Sequence, residues 1–111
     1  MEAKALARGV RISPYRARLI ATLIRGKKVD EALAILENVN NKASKLTKKV
    51  LDSAIANAVN NDGADATTLY IKEARVDAGP VLHRHKFDSR GRIGHKDHRT
   101  SHINIVVATR N

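Results

Sequence analysis

Residues 80–102 constrain the fold more than any other stretch of this chain. The run Pro80-Val-Leu-His-Arg-His-Lys-Phe-Asp-Ser-Arg-Gly-Arg-Ile-Gly-His-Lys-Asp-His-Arg-Thr-Ser-His102 holds six Lys or Arg, two Asp and all five His of the protein. Only Val81, Leu82, Phe87 and Ile93 within it can contribute to a core, too little apolar surface for the segment to fold on itself. It lies between two strand-like segments, 69–77 and 103–108, which makes it a hairpin candidate with Arg90-Gly91 near its midpoint; glycine there tolerates the positive φ of a tight reversal. Two extended arms of about ten residues, at ~3.3 Å per residue, project ~30 Å from a compact chain whose radius of gyration is expected near ~13 Å. A projection of that kind needs an outside partner. Arg84, Lys86, Arg90, Arg92, Lys96 and Arg99 call for a polyanion.

The rest of the composition agrees. At 111 residues with a net charge of +10 and a pI near 10.4, the chain is one small domain with a modest core. Its charge balance favours nucleic acid over acidic metabolites, with an anionic membrane surface as the next alternative. No apolar run approaches the ~20 residues that span a bilayer, and the N-terminus has no secretory apolar core, so an intracellular setting without membrane attachment is expected. The lack of cysteine removes disulfides, cysteine-based zinc sites and thiol catalysis. One Phe, two Tyr and no Trp do not make a stacking platform for successive bases, which leaves phosphate contact and shape reading.

Along the chain, residues 2–12 alternate weakly and suit an edge strand. Ser13-Pro14 starts a helix, the Ser oxygen capping free amides and the Pro standing where its missing N–H costs nothing. This helix reaches about Arg25 and stops at Gly26, with Leu19/Leu23 and Ile20/Ile24 read as one apolar stripe. Arg16, Arg18 and Arg25 are left for its remaining surface, either as a solvated face or, with Arg8, Arg11, Lys27 and Lys28 flanking it, as part of a binding face. A short helix over 29–36 carries Asp30 and Glu31 in its first turn, where the helix dipole favours them. Asn40-Asn41 separates it from a longer helix over 42–60, whose Ala43, Leu46, Val50, Ala54 and Asn57 share a face. Small residues in 53–58 allow a close neighbour. Lys42, Lys45, Lys48 and Lys49 crowd the first half of that helix, equally suited to solvent or to phosphate. Gly63 is a candidate left-handed terminator. The strand at 69–77 alternates imperfectly, with Leu69 and Ile71 on one face and Tyr70, Ala74 and Val76 on the other, so both faces are expected to be partly covered. Ile103, Ile105 and Val107 alternate cleanly in the returning strand. Helices and an antiparallel sheet in separate blocks give an α+β class.

Catalytic chemistry finds no foothold. His83-x-His85 with His95, His98 and His102 is a conceivable metal cluster, but the spacing matches no established zinc pattern and every His has a Lys or Arg within three residues. No phosphate loop, nucleophile elbow or paired-carboxylate signature is present. Neither an enzyme nor a metal protein is expected. A duplex-DNA reader would present polar base-reading side chains at a helix N-terminus, and Tyr15, Arg16 and Arg18 are a poor set for that.

Taken together, Arg11-Ile-Ser-Pro14, Arg18-Leu-Ile-Ala21, Leu23-Ile-Arg-Gly-Lys-Lys-Val29, Glu31-Ala-Leu-Ala-Ile-Leu36, Ser53-Ala-Ile-Ala-Asn-Ala58, Val76-Asp77, Gly79-Pro80, Arg90-Gly-Arg92 and Arg99-Thr-Ser-His-Ile103 resemble the bacterial large-subunit ribosomal protein twenty-two family over nearly the whole chain. The resemblance implies a single domain over 1–111, with three helices packed on a small three-stranded antiparallel sheet and residues 80–102 as a long protruding hairpin arm. It implies large-subunit ribosomal RNA, neighbouring ribosomal proteins and the nascent peptide as partners. It further implies a role in assembly, a monomer bound to the cytoplasmic ribosome, and no cofactor beyond Mg²⁺ belonging to the RNA environment. Carried over by motif, Arg11, Ser13, Arg16, Arg18, Arg25, Gly26, Lys27 and Lys28 belong to the RNA-facing body. Arg84, Arg90, Gly91, Arg92, Arg99, Thr100, Ser101 and His102 belong to the arm, with Asp88, Ser89, Arg90, Gly91 and Arg92 at the tip on the wall of the peptide exit tunnel. Arg8, Lys42, Lys45, Lys49, Lys86 and Lys96 join the RNA-binding set on charge. The departures from the family pattern gather in the arm: Leu82-His83-Arg84, Phe87-Asp88-Ser89 and Lys96-Asp97-His98-Arg99 carry two acids and extra histidines. The competing reading is a basic nucleic-acid-binding regulatory module outside the ribosome.

Overall fold

The computed structural model describes residues 1–87 and 93–109, and of 82–87 and 93–98 the backbone alone. Five strands and three helices follow in the order β1 (Glu2–Val10), α1 (Pro14–Ile24), α2 (Val29–Asn38), α3 (Lys42–Asp62), β2 (Leu69–Ala78), β3 (Leu82–Phe87), β4 (Ile93–His98) and β5 (Ser101–Thr109), with one turn of 3₁₀ helix at Ala66–Thr68. β5 is central in an antiparallel sheet of order β1-β5-β2, and β3 pairs with β4 in a separate two-stranded ribbon. The expected α+β architecture is therefore present, as is a strand pair within the arm.

The core lies between the three helices and one face of the sheet. Ala17, Ile20, Ala21 and Ile24 of α1, Val29, Ala32 and Leu36 of α2, and Val50, Leu51, Ala54 and Ala58 of α3 meet Ile71, Ile103, Ile105 and Val107 there. Full burial of a side chain such as Leu51 or Ile105 is worth about 1.5–3 kcal/mol, so this inner face fixes the register of the sheet. The small residues of α3 have the packing role expected of them: Ala54 and Ala58 are fully buried, and α3 packs on β1 and β5. Across that contact β1 presents Ala3 and Ala5, which explains why its strand signal is weak in sequence. Its alanines permit close approach instead of filling space.

Two expectations are corrected. The broken alternation in β2 reflects a bulge, and not a strand covered on both faces: Ile71 pairs with Val107 but Glu73 pairs with Val106, leaving Lys72 as the extra residue. An extra residue changes the phase of a strand, so Leu69 and Ile71 before it and Ala74 and Val76 after it are all buried. In α1 the apolar stripe divides. Ile20 and Ile24 are buried, whereas Leu19 and Leu23 are exposed, because Ala17 and Ala21 complete the inner face.

Both sheet edges are closed by groups from the helical layer. On β2, Gly26 N–H donates to Ile71 O at 3.0 Å and Ile71 N–H donates to Lys27 O at 2.8 Å. Farther along, Arg25 donates from Nε and Nη2 to Ala74 O at 3.3 and 2.7 Å, and Arg18 Nε donates to Val76 O at 3.2 Å. On β1, Asn57 Nδ2 donates to Lys4 O at 2.9 Å, which accounts for a polar residue on the inner stripe of α3. Unpaired strand edges invite pairing with another chain, and these contacts occupy much of the β2 edge and one position of the β1 edge. Gly26 turns the chain out of α1 with φ 79°, a left-handed geometry that favours glycine.

The arm leaves and rejoins the body through a short tied root. Gly79 N–H donates to Thr100 O at 2.9 Å, and Thr100 Oγ1 donates to Pro80 O at 2.5 Å. A Cβ on Gly79 would lie 2.5 Å from Thr100 Oγ1, so a larger residue would displace that hydroxyl from Pro80 O. Ser101 is buried, with its hydroxyl donating to Ile12 O at 2.7 Å. Where the β1–β5 register slips between Ala7 and Val10, the left-handed Gly9 aims its N–H at His102 Nδ1, 3.0 Å away. β3 and β4 run antiparallel from Leu82 opposite His98 to Phe87 opposite Ile93. The chain measures 63 × 26 × 17 Å with a radius of gyration of 16.8 Å, well above the ~13 Å of a compact chain near this length.

Candidate nucleic-acid interface

The local folding of three junctions brings four cations together. Ser13 ends the β1–α1 connection and caps α1, its Oγ accepting from Arg16 N–H at 3.4 Å. Asn41 caps α3, its Oδ1 accepting from Ser44 N–H at 2.8 Å. Lys42, at the first turn of α3, extends its amine to Arg11 O at 2.6 Å and ties the two junctions to each other. Arg99 stands at the third junction, the root of the arm. Between them is a groove of about 1150 Å³ lined by Arg11, Ile12, Ser13, Arg16, Leu19, Ile20, Asn41, Lys42, Ala43 and Arg99. Among the described residues, four that line it are cations and none is an acid.

Arg11, Arg16 and Arg99 are exposed and form no ion pair with a carboxylate among the described residues. A low-lying surface with one sign of charge concentrates counter-ions of the other. Guanidinium forks match phosphate oxygens in pairs. The arrangement is therefore suited to hold phosphate groups along a concave track. The open face of the sheet is the reverse: Arg75 sits between Glu73 and Asp77 at 3.4 and 3.2 Å, and Lys72 pairs with Glu2. The hydrogen bond from Lys72 holds the Glu2 carboxyl below the usual carboxylate range, and Glu2 raises the Lys72 amine in turn.

The residues expected from sequence to bind RNA thus divide by what they already touch. Arg11, Ser13, Arg16, Lys42 and Arg99 come together at the groove. Arg8, Lys27, Lys28, Lys45 and Lys49 are exposed elsewhere on the body. Arg18 and Arg25 hydrogen-bond to β2, Gly26 spends its N–H on Ile71, and Thr100, Ser101 and His102 are engaged at the arm root. For Arg84, Lys86 and Lys96 the backbone register is described, with Arg84 opposite Lys96. Asp88, Ser89, Arg90, Gly91 and Arg92, the expected tip, lie outside the described residues. Leu19 and Asn41 line the groove without having been singled out from sequence, and Tyr15 stands beside it. For Tyr15 and Leu19 the signal was their four-residue spacing with Leu23, legible as an outer row only once the alanines of α1 are assigned to the core.

A family model described as ribosomal protein L22p/L17e matches residues 5–108. Curated proteins named large ribosomal subunit protein uL22 are similar over almost their whole length. That of Carboxydothermus hydrogenoformans is 53% identical over 110 residues, covering 99% of this chain and 97% of the relative. That of Mycoplasmopsis agalactiae is 51% identical over 108 residues, covering 97% and 95%. That of Syntrophomonas wolfei is 46% identical over 110 residues, covering 99% and 97%.

Proposed function

The chain belongs to the ribosomal protein L22p/L17e family, and from that premise we propose that it binds large-subunit ribosomal RNA through two continuous surfaces, the basic groove and the arm. It is a structural ribosomal protein of the large subunit and not an enzyme. Its partners are ribosomal RNA and neighbouring ribosomal proteins, and it acts on the cytoplasmic ribosome. The observation that carries the reading is the acid-free groove of Arg11, Arg16, Lys42 and Arg99 at the root of the arm. RNA following the groove continues onto the arm that carries Arg84, Lys86 and Lys96, where the register sets Arg84 opposite Lys96. Like charges at facing positions oppose strand pairing, and a polyanion between or beside them relieves that repulsion.

Arg8, Lys27, Lys28, Lys45 and Lys49 add peripheral phosphate contacts, the sequence-independent kind that suits an A-form partner read by backbone and shape. Thr100, Ser101, His102, Arg18, Arg25 and Gly26 serve the same interface indirectly by fixing the arm root and the β2 edge. The tip, Asp88, Ser89, Arg90, Gly91 and Arg92, reaches the wall of the nascent-peptide exit tunnel. In this role the arm and groove join RNA segments during subunit assembly.

Sedimentation of a cell lysate in low and high salt tests the proposal. Co-migration of the protein with the large subunit that survives high salt is the expected result. Movement to the top of the gradient at moderate salt would instead indicate a peripheral electrostatic binder and favour a regulatory module outside the ribosome.

A further inference from the structure

α1 carries a second exposed feature besides its arginines. Tyr15, Leu19 and Leu23 are spaced by four, which aligns them along one flank of the helix, and they are 72%, 53% and 46% exposed. Single exposed apolar side chains are ordinary, but a contiguous row marks a contact surface. The other large apolar side chains exposed among the described residues, Met1, Leu6, Val59 and Val81, are scattered over separate elements. The row adjoins the groove at Leu19, which lines it and shares a helix flank with Tyr15 one turn before it.

We propose that Tyr15 and Leu19 form a stacking site for one unpaired nucleobase of RNA whose own phosphates are held by Arg11, Arg16 and Arg99. The proposal rests on the RNA reading above and adds which kind of RNA element meets this end of α1. A nucleotide joins a flat aromatic face to an anion, and the site joins an exposed aromatic ring to three arginines with no paired carboxylate among the described residues. Base-paired segments keep their faces inside the stack, so the occupant comes from a loop, bulge or end. A purely apolar protein partner would leave these cations desolvated and unpaired, which is costly. One tyrosine supports one base, in keeping with the lack of aromatics for a longer track.

Fluorescence anisotropy of labelled RNA on the full-length protein tests this, using a short single-stranded oligoadenylate and a duplex RNA of matched length at low salt. Tyr15→Phe should keep the single-strand affinity. Tyr15→Ser should lower it about tenfold and leave duplex affinity unchanged, with circular dichroism verifying that the exposed substitution preserves the fold. An unchanged single-strand affinity in Tyr15→Ser, with salt-sensitive binding retained, would overturn the stacking site and leave phosphate binding standing. Absence of binding to either RNA would overturn both. Since the chain has no Trp, its two tyrosines report directly: quenching of emission by the oligoadenylate, absent in Tyr15→Ser, supports the site. Equal quenching by polyglutamate would overturn it in favour of an acidic protein partner.

Discussion

Arg18 and Arg25 at the β2 edge, and Arg11 and Arg16 at the groove, are the same side chain in and around one helix, with opposite uses. The first two donate to Val76 O and Ala74 O and take the place of a neighbouring strand. The second two stand over a groove without an acid, next to Lys42 and Arg99, with their charge unspent inside the protein. The arm root sharpens the contrast, since Ser101 and Thr100 also have their hydroxyls taken up by backbone carbonyls. We propose that the cations to which the fold already gives an acceptor contribute less to RNA binding than those it leaves unengaged. Among these four arginines the proposed difference is whether the fold already offers the guanidinium an acceptor; Lys42 lines the groove with its amine already tied to Arg11 O.

The largest test of this distinction is at the arm root. Ser101→Ala removes the donor to Ile12 O from a fully buried site and should cost about 1–3 kcal/mol in denaturant unfolding, while the salt dependence of RNA binding stays as in the unaltered protein. A stable variant with a shallower salt dependence would put Ser101 on the RNA. Arg25→Ala comes next. It leaves Ala74 O to solvent on an exposed flank and should cost about 1–2 kcal/mol, together with a greater tendency to associate through the freed edge, measurable by light scattering. Equal stability and unchanged monomer dispersity would break the assignment of Arg25 to the fold.

The smallest effect is expected at the pair of Glu2 and Lys72, a cation spent on the surface. The Glu2 carboxyl is depressed, so its contribution is complete above the ordinary carboxylate pKa and lost as pH falls through the lowered value. The Lys72 amine is raised, so its contribution is complete below the ordinary lysine pKa and lost as pH rises through the higher one. Exposed pairs gain little. Glu2→Gln should therefore lower Tm slightly at neutral pH and not at all in strong acid, in melts across the acid range. A difference that persisted in acid would assign Glu2 another role.

These contrasts explain what could be read from the sequence. Signals carried by neighbouring residues were legible: Ser13-Pro14 opens α1, Asp30 and Glu31 begin α2, and α3 ends at the left-handed Gly63. The charge asymmetry and the arm were legible too, because composition alone denies 80–102 a core. Features set by distant partners were not. The bulge at Lys72 depends on pairing with β5, the exposure of Leu19 on which face of α1 meets the sheet, and the fate of Arg18 on a carbonyl of β2. The use of Asn57 on the inner stripe of α3 depends on the edge of β1, which provides Lys4 O. The groove was the hardest to foresee, since it joins a strand–helix turn, a helix cap and the root of the arm.

The division between the two sets of arginines is tested most directly by titrating RNA affinity against salt for two double variants and the unaltered protein, with one structured large-subunit RNA fragment. Each phosphate contact contributes about one unit to the slope of log affinity on log salt. Arg11→Ala with Arg16→Ala should make that slope shallower by about 2 and leave unfolding unchanged, whereas Arg18→Ala with Arg25→Ala should keep the slope and lower stability. Equal loss of slope in both variants would contradict the division and return Arg18 and Arg25 to the RNA surface.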